Sequence, residues 1–199
     1  MLLTLMVGTL SAQDMLTEHH QMTTLDLAVG LPHNNVNQFY VDSQGFVWIS
    51  TYGGGAVRYD GFSFMSVALT NPQGFSSNSC KRITEDRFHR LWIAYDERTD
   101  VIDMRTMSRT LPVCKQGDLN AILNRLSVAV YHDAKGAVWQ VNSDTIYRYS
   151  FDENGAVNHI SNYHYVGNTP DICIKDIEQN GSVWVCIDGG LYRLVERNG

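Results

Sequence analysis

Every tryptophan in the chain falls in one register. Trp48, Trp92, Trp139 and Trp184 stand 44, 47 and 45 residues apart. Six residues before each lies an acid: Asp42, Asp86, Asp133 and Glu178. Three residues before lie Gly45, His89, Gly136 and Gly181. After each tryptophan comes a short apolar stretch and then a second apolar run, at 56–59, 101–104, 146–149 and 191–194. A fixed period of about 45 residues marks an array of similar units, none of which can bury its apolar surface alone.

The units read as strands. Their segments are short, β-branched or aromatic, and bounded by Gly, Asn, Asp and Ser. In the first unit the spacing predicts strands over 36–41, 46–51, 56–59 and 62–67. Asp42-Ser43-Gln44-Gly45 forms the tight turn between the first two, with Gly45 at positive φ and Asp42 bonding the turn backbone. Asp60-Gly61 is a hairpin signal. Four antiparallel strands per unit of this length make the blade of a β-propeller, with tryptophan as the filler between blades. The fold class is therefore all-β, about four blades. Composition agrees: 18% of residues are charged, 11% are aromatic, and the formal net charge is −6. An acidic chain without a basic block carries no electrostatic footprint for nucleic acid.

The stretches Gly30-Leu31-Pro32-His33-Asn34-Asn35-Val36-Asn37, Asp42-Ser43-Gln44-Gly45-Phe46-Val47-Trp48 and Gly54-Gly55-Ala56-Val57-Arg58-Tyr59-Asp60-Gly61 resemble the two-component regulator propeller repeat. The second unit departs from it, with His89 for glycine and Glu97-Arg98-Thr99 for the glycine turn. The third keeps the Asp133–Trp139 motif and the fourth keeps Gly181-Ser182-Val183-Trp184 and Gly189-Gly190. The resemblance implies the periplasmic sensor region of a hybrid two-component system. It implies recognition of glycan breakdown products, a homodimer in the full-length sensor, and a histidine kinase in domains beyond Gly199.

The expected organisation is a leader at 1–12, an N-terminal outer strand at 13–29, and repeats at about 30–73, 74–119, 120–169 and 170–199. Met1–Gln13 is apolar, uncharged and too short to span a bilayer; its small-residue end resembles a secretory cleavage region. The fourth unit stops at its third strand. Either the chain is part of a larger propeller, or the strand at 21–27 completes a closed ring of four blades. Four cysteines in an exported chain permit disulfides. Reading back from the Asn180-Gly181 turn, however, Cys186 faces the neighbourhood of Lys175. A Cys173–Cys186 bridge would need a shifted register, and buried free thiols are expected.

No motif points to catalysis. The four acids sit at equivalent hairpins in separate blades, so they do not converge as an acid pair. Gly53-Gly54-Gly55 lacks the Lys-Ser/Thr of a phosphate loop. No histidine or cysteine spacing suits a metal, and no cofactor is expected. His132 reads as strand surface. A ligand is expected where the loops entering each blade meet the second hairpin turns. Those segments offer His33, Asn34, Asn35, Tyr52, Asn78, Tyr95 and Asn142, whose amides and rings suit an oligosaccharide. Alternative readings are an exported propeller enzyme acting on polysaccharide and a protein-interaction scaffold.

Overall fold

The computed structural model describes residues 23–67, 77–167 and 171–194. The expected leader lies outside them. Blade one comprises β1 (Val36–Val41), β2 (Val47–Thr51), β3 (Gly55–Tyr59) and β4 (Phe64–Val67). Blade two comprises β5 (Cys80–Glu85), β6 (Arg90–Tyr95), β7 (Thr99–Asp103) and β8 (Ser108–Arg109). Blade three follows a short helix, α1 (Leu119–Leu123), and comprises β9 (Ser127–His132), β10 (Val138–Asn142), β11 (Thr145–Phe151) and β12 (Val157–His164). Blade four has β13 (Ile172–Ile177), β14 (Val183–Ile187) and β15 (Gly190–Leu194). Each blade is an antiparallel meander in chain order. The molecule is an all-β, four-bladed propeller chain.

The six-residue spacing has a direct cause. Each turn acid accepts a hydrogen bond from the indole of its own tryptophan: Trp48 to Asp42 at 2.8 Å, Trp92 to Asp86 at 2.8 Å, Trp139 to Asp133 at 3.0 Å and Trp184 to Glu178 at 2.6 Å. The other oxygen of Asp42 accepts from the amides of Gln44 and Phe46. Asp86 and Asp133 repeat this with Phe88 and Arg90, and with Lys135 and Ala137. A single carboxylate thus holds the hairpin shut and satisfies a buried indole, which would otherwise be left an unpaired donor. Glu178 is one methylene longer, and Asn180 takes over the amide of Ser182. At the third turn position φ is +88° at Gly45, +79° at Gly136 and +93° at Gly181. His89 holds the same left-handed conformation at +59°, which costs a side-chain-bearing residue about 1–2 kcal/mol.

Blades join through three apolar cores. Trp48 packs with Ile83, Leu91, Ile93, Tyr95 and Ile102 of blade two. Trp92 packs with Val130, Val138, Tyr149 and Phe151 of blade three, where α1 adds Leu119 and Leu123. Trp139 packs with Ile172, Ile174, Val183 and Val185 of blade four. Each tryptophan therefore fills the seam to the following blade. Trp48 and Trp92 are fully buried, at roughly 25 cal/mol per Å² of apolar area removed from water. Among the described residues, no core joins blade four to blade one. Phe39 and Val41 of β1 are about 60% exposed on the far side of the first blade.

Two expectations need correction. Thr23–Leu25 carry no strand, and Leu27–Val29 is a 3-10 turn. The Asp26 side chain accepts from the Ala28 amide and Gly30 closes the turn at φ +103°, so local capping wins over strand pairing here. Gln21 and Met22 lie outside the described residues. The cysteine register also differs. In blades one to three a β-bulge interrupts the first two strands late, between Val36 and Gln38, between Cys80 and Arg82, and where Asn142 pairs with Ser127. In blade four it falls earlier, between Ile174 and Asp176. The extra residue shifts everything before it by one position, and Cys173 stands directly opposite Cys186.

Candidate functional site

The expected ligand residues divide into two groups. His33, Asn34, Asn35, Tyr52 and Asn78 come together at one edge of blade one. The Tyr52 amide donates to the Asn35 carbonyl at 2.9 Å, and the amides of Gly53 and Gly55 both donate to the Asn78 carbonyl at 2.8 Å. The His33 ring lies where a Cβ on Gly53 would stand, 2.8 Å away, so glycine is required for the approach. Tyr52 is 56% exposed. Tyr95 and Asn142 do not join this group. Both are buried, Tyr95 in the seam between blades one and two, because the second strand runs on past the position read as loop. Asn142 instead ends a buried chain in which the Tyr149 hydroxyl donates to Gln140 and the Gln140 amide donates to Asn142.

A more enclosed site forms where the first strands of blades one to three run side by side. Gln38 and Tyr40 of β1, Arg82 and Thr84 of β5, and Tyr131 and His132 of β9 line one cavity of about 230 Å³. It continues into a second of about 400 Å³ at the first-hairpin end, lined by Tyr40, Ser43, Glu85, Arg87, His89 and His132 among others. Strand alternation produces this wall, since every second residue of a first strand faces the neighbouring blade. Gln38 reaches across to accept from the Ile83 amide at 2.8 Å. The Arg82 guanidinium lies 4.2 Å over the Tyr131 ring, a cation–π contact. His132 Nδ1 lies 2.7 Å from the Thr84 hydroxyl. Its ring meets Tyr40 edge-on at 6.3 Å between centroids. Burial raises the Tyr40 phenol above its ordinary value, and burial does the same to Tyr131, against the pull of the Arg82 charge.

Glu85 anchors the lower end. Its buried carboxylate accepts from the Ser43 amide at 2.7 Å and from the Ser43 hydroxyl at 2.6 Å. His89 Nδ1 lies 3.0 Å from the same carboxylate and 3.1 Å from Ser43 Oγ. Serine, histidine and glutamate are thus in contact, yet serine and carboxylate share one ring nitrogen. A proton relay needs them on opposite nitrogens. The arrangement ties the first turn of blade one to blade two and offers polar groups to a ligand. Among the described residues, no group of three or more His, Cys, Asp or Glu side chains is disposed to hold a metal ion.

Sequence reading missed the cavity wall because it searched loops. A signal existed in the strands: Gln38, Tyr40, Arg82 and Thr84 put polar side chains at alternating first-strand positions. Glu85 and His132 each directly precede a turn acid.

Residues 30–53 match the family model described as two component regulator propeller. No curated protein matches the chain. The solved extracellular domain of a hybrid two component system from B. thetaiotaomicron is 19% identical, with a TM-score of 0.62 over 84% of this chain and 24% of that one. A second such domain from the same organism is 18% identical, with a TM-score of 0.58 over 87% of this chain and 30% of that one. A catalytically inactive virginiamycin B lyase from Staphylococcus aureus is 14% identical, with a TM-score of 0.55 over 85% of this chain and 59% of that one. At these identities the likeness is one of fold. The chain spans about a quarter of the length of the first of these domains. No helix among the described residues is long and apolar enough to cross a membrane.

Proposed function

We propose, from a chain that carries a two component regulator propeller repeat at residues 30–53, that it is a segment of an exported sensory propeller. It binds a glycan-derived oligosaccharide and catalyses no reaction. The supporting observation is the cavity wall of β1, β5 and β9. Gln38, Tyr40, Arg82, Thr84 and His132 offer hydrogen-bonding groups beside two tyrosine rings, the pairing of amphipathic ring and polar tip that suits a sugar. The loop group around His33, Tyr52 and Asn78 forms the outer approach. In the full-length protein, ligand binding biases a homodimer between two arrangements, and a histidine kinase domain reads the difference. The periplasm is the compartment this role requires. The geometry at Ser43, His89 and Glu85 favours binding over hydrolysis.

The test is titration of the purified chain with a panel of neutral and acidic oligosaccharides, read by calorimetry. A saturable ligand should lose at least about tenfold in affinity in Tyr40→Ala and His132→Ala, the loss of one or two good hydrogen bonds. Unchanged affinity in both variants would place binding elsewhere. The scaffold reading draws on the exposed Phe39 and Val41. It is favoured if no sugar binds while a partner protein is retained by the wild-type chain and released by Phe39→Lys.

A further inference from the structure

The displaced bulge of blade four has a chemical consequence. It sets Cys173 of β13 directly opposite Cys186 of β14. Opposed residues of an antiparallel pair hold their Cα atoms about 4.5–5.5 Å apart and present their side chains to the same face. A disulfide takes Cα separations of about 4.4–6.8 Å. Both thiols are free and half-buried, whereas Cys80 is fully buried. The face is identifiable. Ile172, Ile174, Val183 and Val185 pack against blade three, so the cysteines between them in sequence point the other way, beside Trp184. No corresponding pair exists in the other blades. The positions two residues after each tryptophan and their partners are Ser50 with Gln38, Ala94 with Arg82, and Val141 with Ala129.

We infer that Cys173 and Cys186 form a cross-strand redox site, closed by thiol–disulfide exchange with a small disulfide such as oxidised glutathione. One thiolate attacks a sulfur of the donor, breaking its S–S bond and releasing one glutathione thiol. The second cysteine then attacks the mixed disulfide through its own thiolate and releases the other. Two protein thiols are oxidised, one donor disulfide is reduced to two thiols, and the two protons lost by the protein thiols end, by way of solvent, on the released glutathione sulfurs. Lys175 is the bulged residue between the paired positions. Its side chain is within hydrogen-bonding reach of Cys173 and feels the charge of both sulfurs, which raises its own pKa. The closed ring would staple the first hairpin of the outermost described blade. This inference does not depend on the ligand or on the compartment proposed above.

The experiment uses the wild-type chain, incubated with oxidised glutathione, blocked with a thiol reagent and digested with trypsin without reduction. Trypsin cuts after Lys175, so Cys173 lies in peptide 149–175 and Cys186 in peptide 176–193. The expected result is one species containing both peptides, two mass units below their sum and separated by reduction. Cys80 stays reduced. Cys173→Ser should leave Cys186 carrying a glutathione adduct. Separate glutathione adducts on both cysteines of the wild type, linkage of either one to Cys114, or unreacted thiols in the folded chain would each overturn the inference.

Discussion

At the residue scale, the indole–carboxylate clamp carries the most weight. Trp92 is fully buried and hydrogen-bonded, so Trp92→Ala should cost about 3–5 kcal/mol. Trp184 makes the same bond but is only half-buried, and Trp184→Ala should cost less. Urea denaturation of the two variants checks the order. Tyr95 offers a sharper case. Its hydroxyl is buried without a partner, so Tyr95→Phe should be neutral or stabilise by about 1 kcal/mol at pH 7. Burial raises the Tyr95 phenol well above 10.0 and the Cys80 thiol well above 9.0. In the unfolded chain these groups ionise at their ordinary values, so stability is intact below about pH 9 and is lost as pH climbs above it. Tyr95→Phe should flatten the part of that decline above pH 10, measured as Tm against pH. The spacing of acid, glycine and tryptophan was legible in the chain. The indole bond was not, because periodicity shows that two residues are linked without showing which atoms meet. Tyr95 was misread because an aromatic at a strand end looks alike whether it faces a rim or a seam.

At the element scale, an arginine reaches the turn acid from two different positions: the third strand in blades three and four, and the second strand in blade two. In blades one, three and four an arginine of the third strand stands opposite the tryptophan: Arg58, Arg148 and Arg193. Blade two has Val101 there. Arg90 replaces it from within the second strand, donating to Asp86 at 2.7 Å with its guanidinium about 5 Å from the rings of Phe88 and Phe151. This pair is nearly dry, with side-chain exposures of 11% and 0%. Arg90→Met should therefore destabilise by about 3 kcal/mol, since it leaves a buried carboxylate with neutral donors and no counter-charge. Arg193→Met, whose partner Glu178 is open to water, should be close to neutral. Thermal unfolding of both checks the contrast. The strands of blade one were readable almost to the residue, because alternation and turn chemistry agree there. The bulge in β13 was not. A bulge is chosen by how two strands settle against a third element, and Ile172 and Ile174 must both reach the core of blade three. α1 was likewise hidden in a segment that reads as a loop; it forms because Asp118 caps it and Leu119 and Leu123 find the second seam.

At the scale of the molecule, seams set the order of stability. Blade two is packed on both faces, by Trp48 from one side and through Trp92 on the other. Blade three likewise shares two cores, and among the described residues blade four shares one. In a repeat array stability is close to a sum of unit and neighbour terms. Amide hydrogen exchange should therefore be slower in β5–β7 and β9–β11 than in β13–β15. Equal protection in blades two and four would contradict the three-core arrangement. The number of blades, and tryptophan as the filler between them, followed from the tryptophan register; which blade each tryptophan packs against did not. What lines the space between first strands did not, because it depends on side chains brought together from three units rather than on any one of them.

The clamp between acid and indole also bears on how such a chain can grow. Both partners lie in the same unit, six positions apart, so neither depends on a neighbour for its hydrogen bond. A segment copied or deleted in whole periods carries its own pin with it, and the indoles of the units left behind keep their acceptors. What must be renegotiated is the seam: apolar contacts, which forgive imperfect matches, and a few polar ties such as Gln38 to the Ile83 amide and Ser43 to Glu85, which do not. Units pinned in this way can differ elsewhere, as His89 in place of glycine and Arg90 in place of a third-strand arginine show.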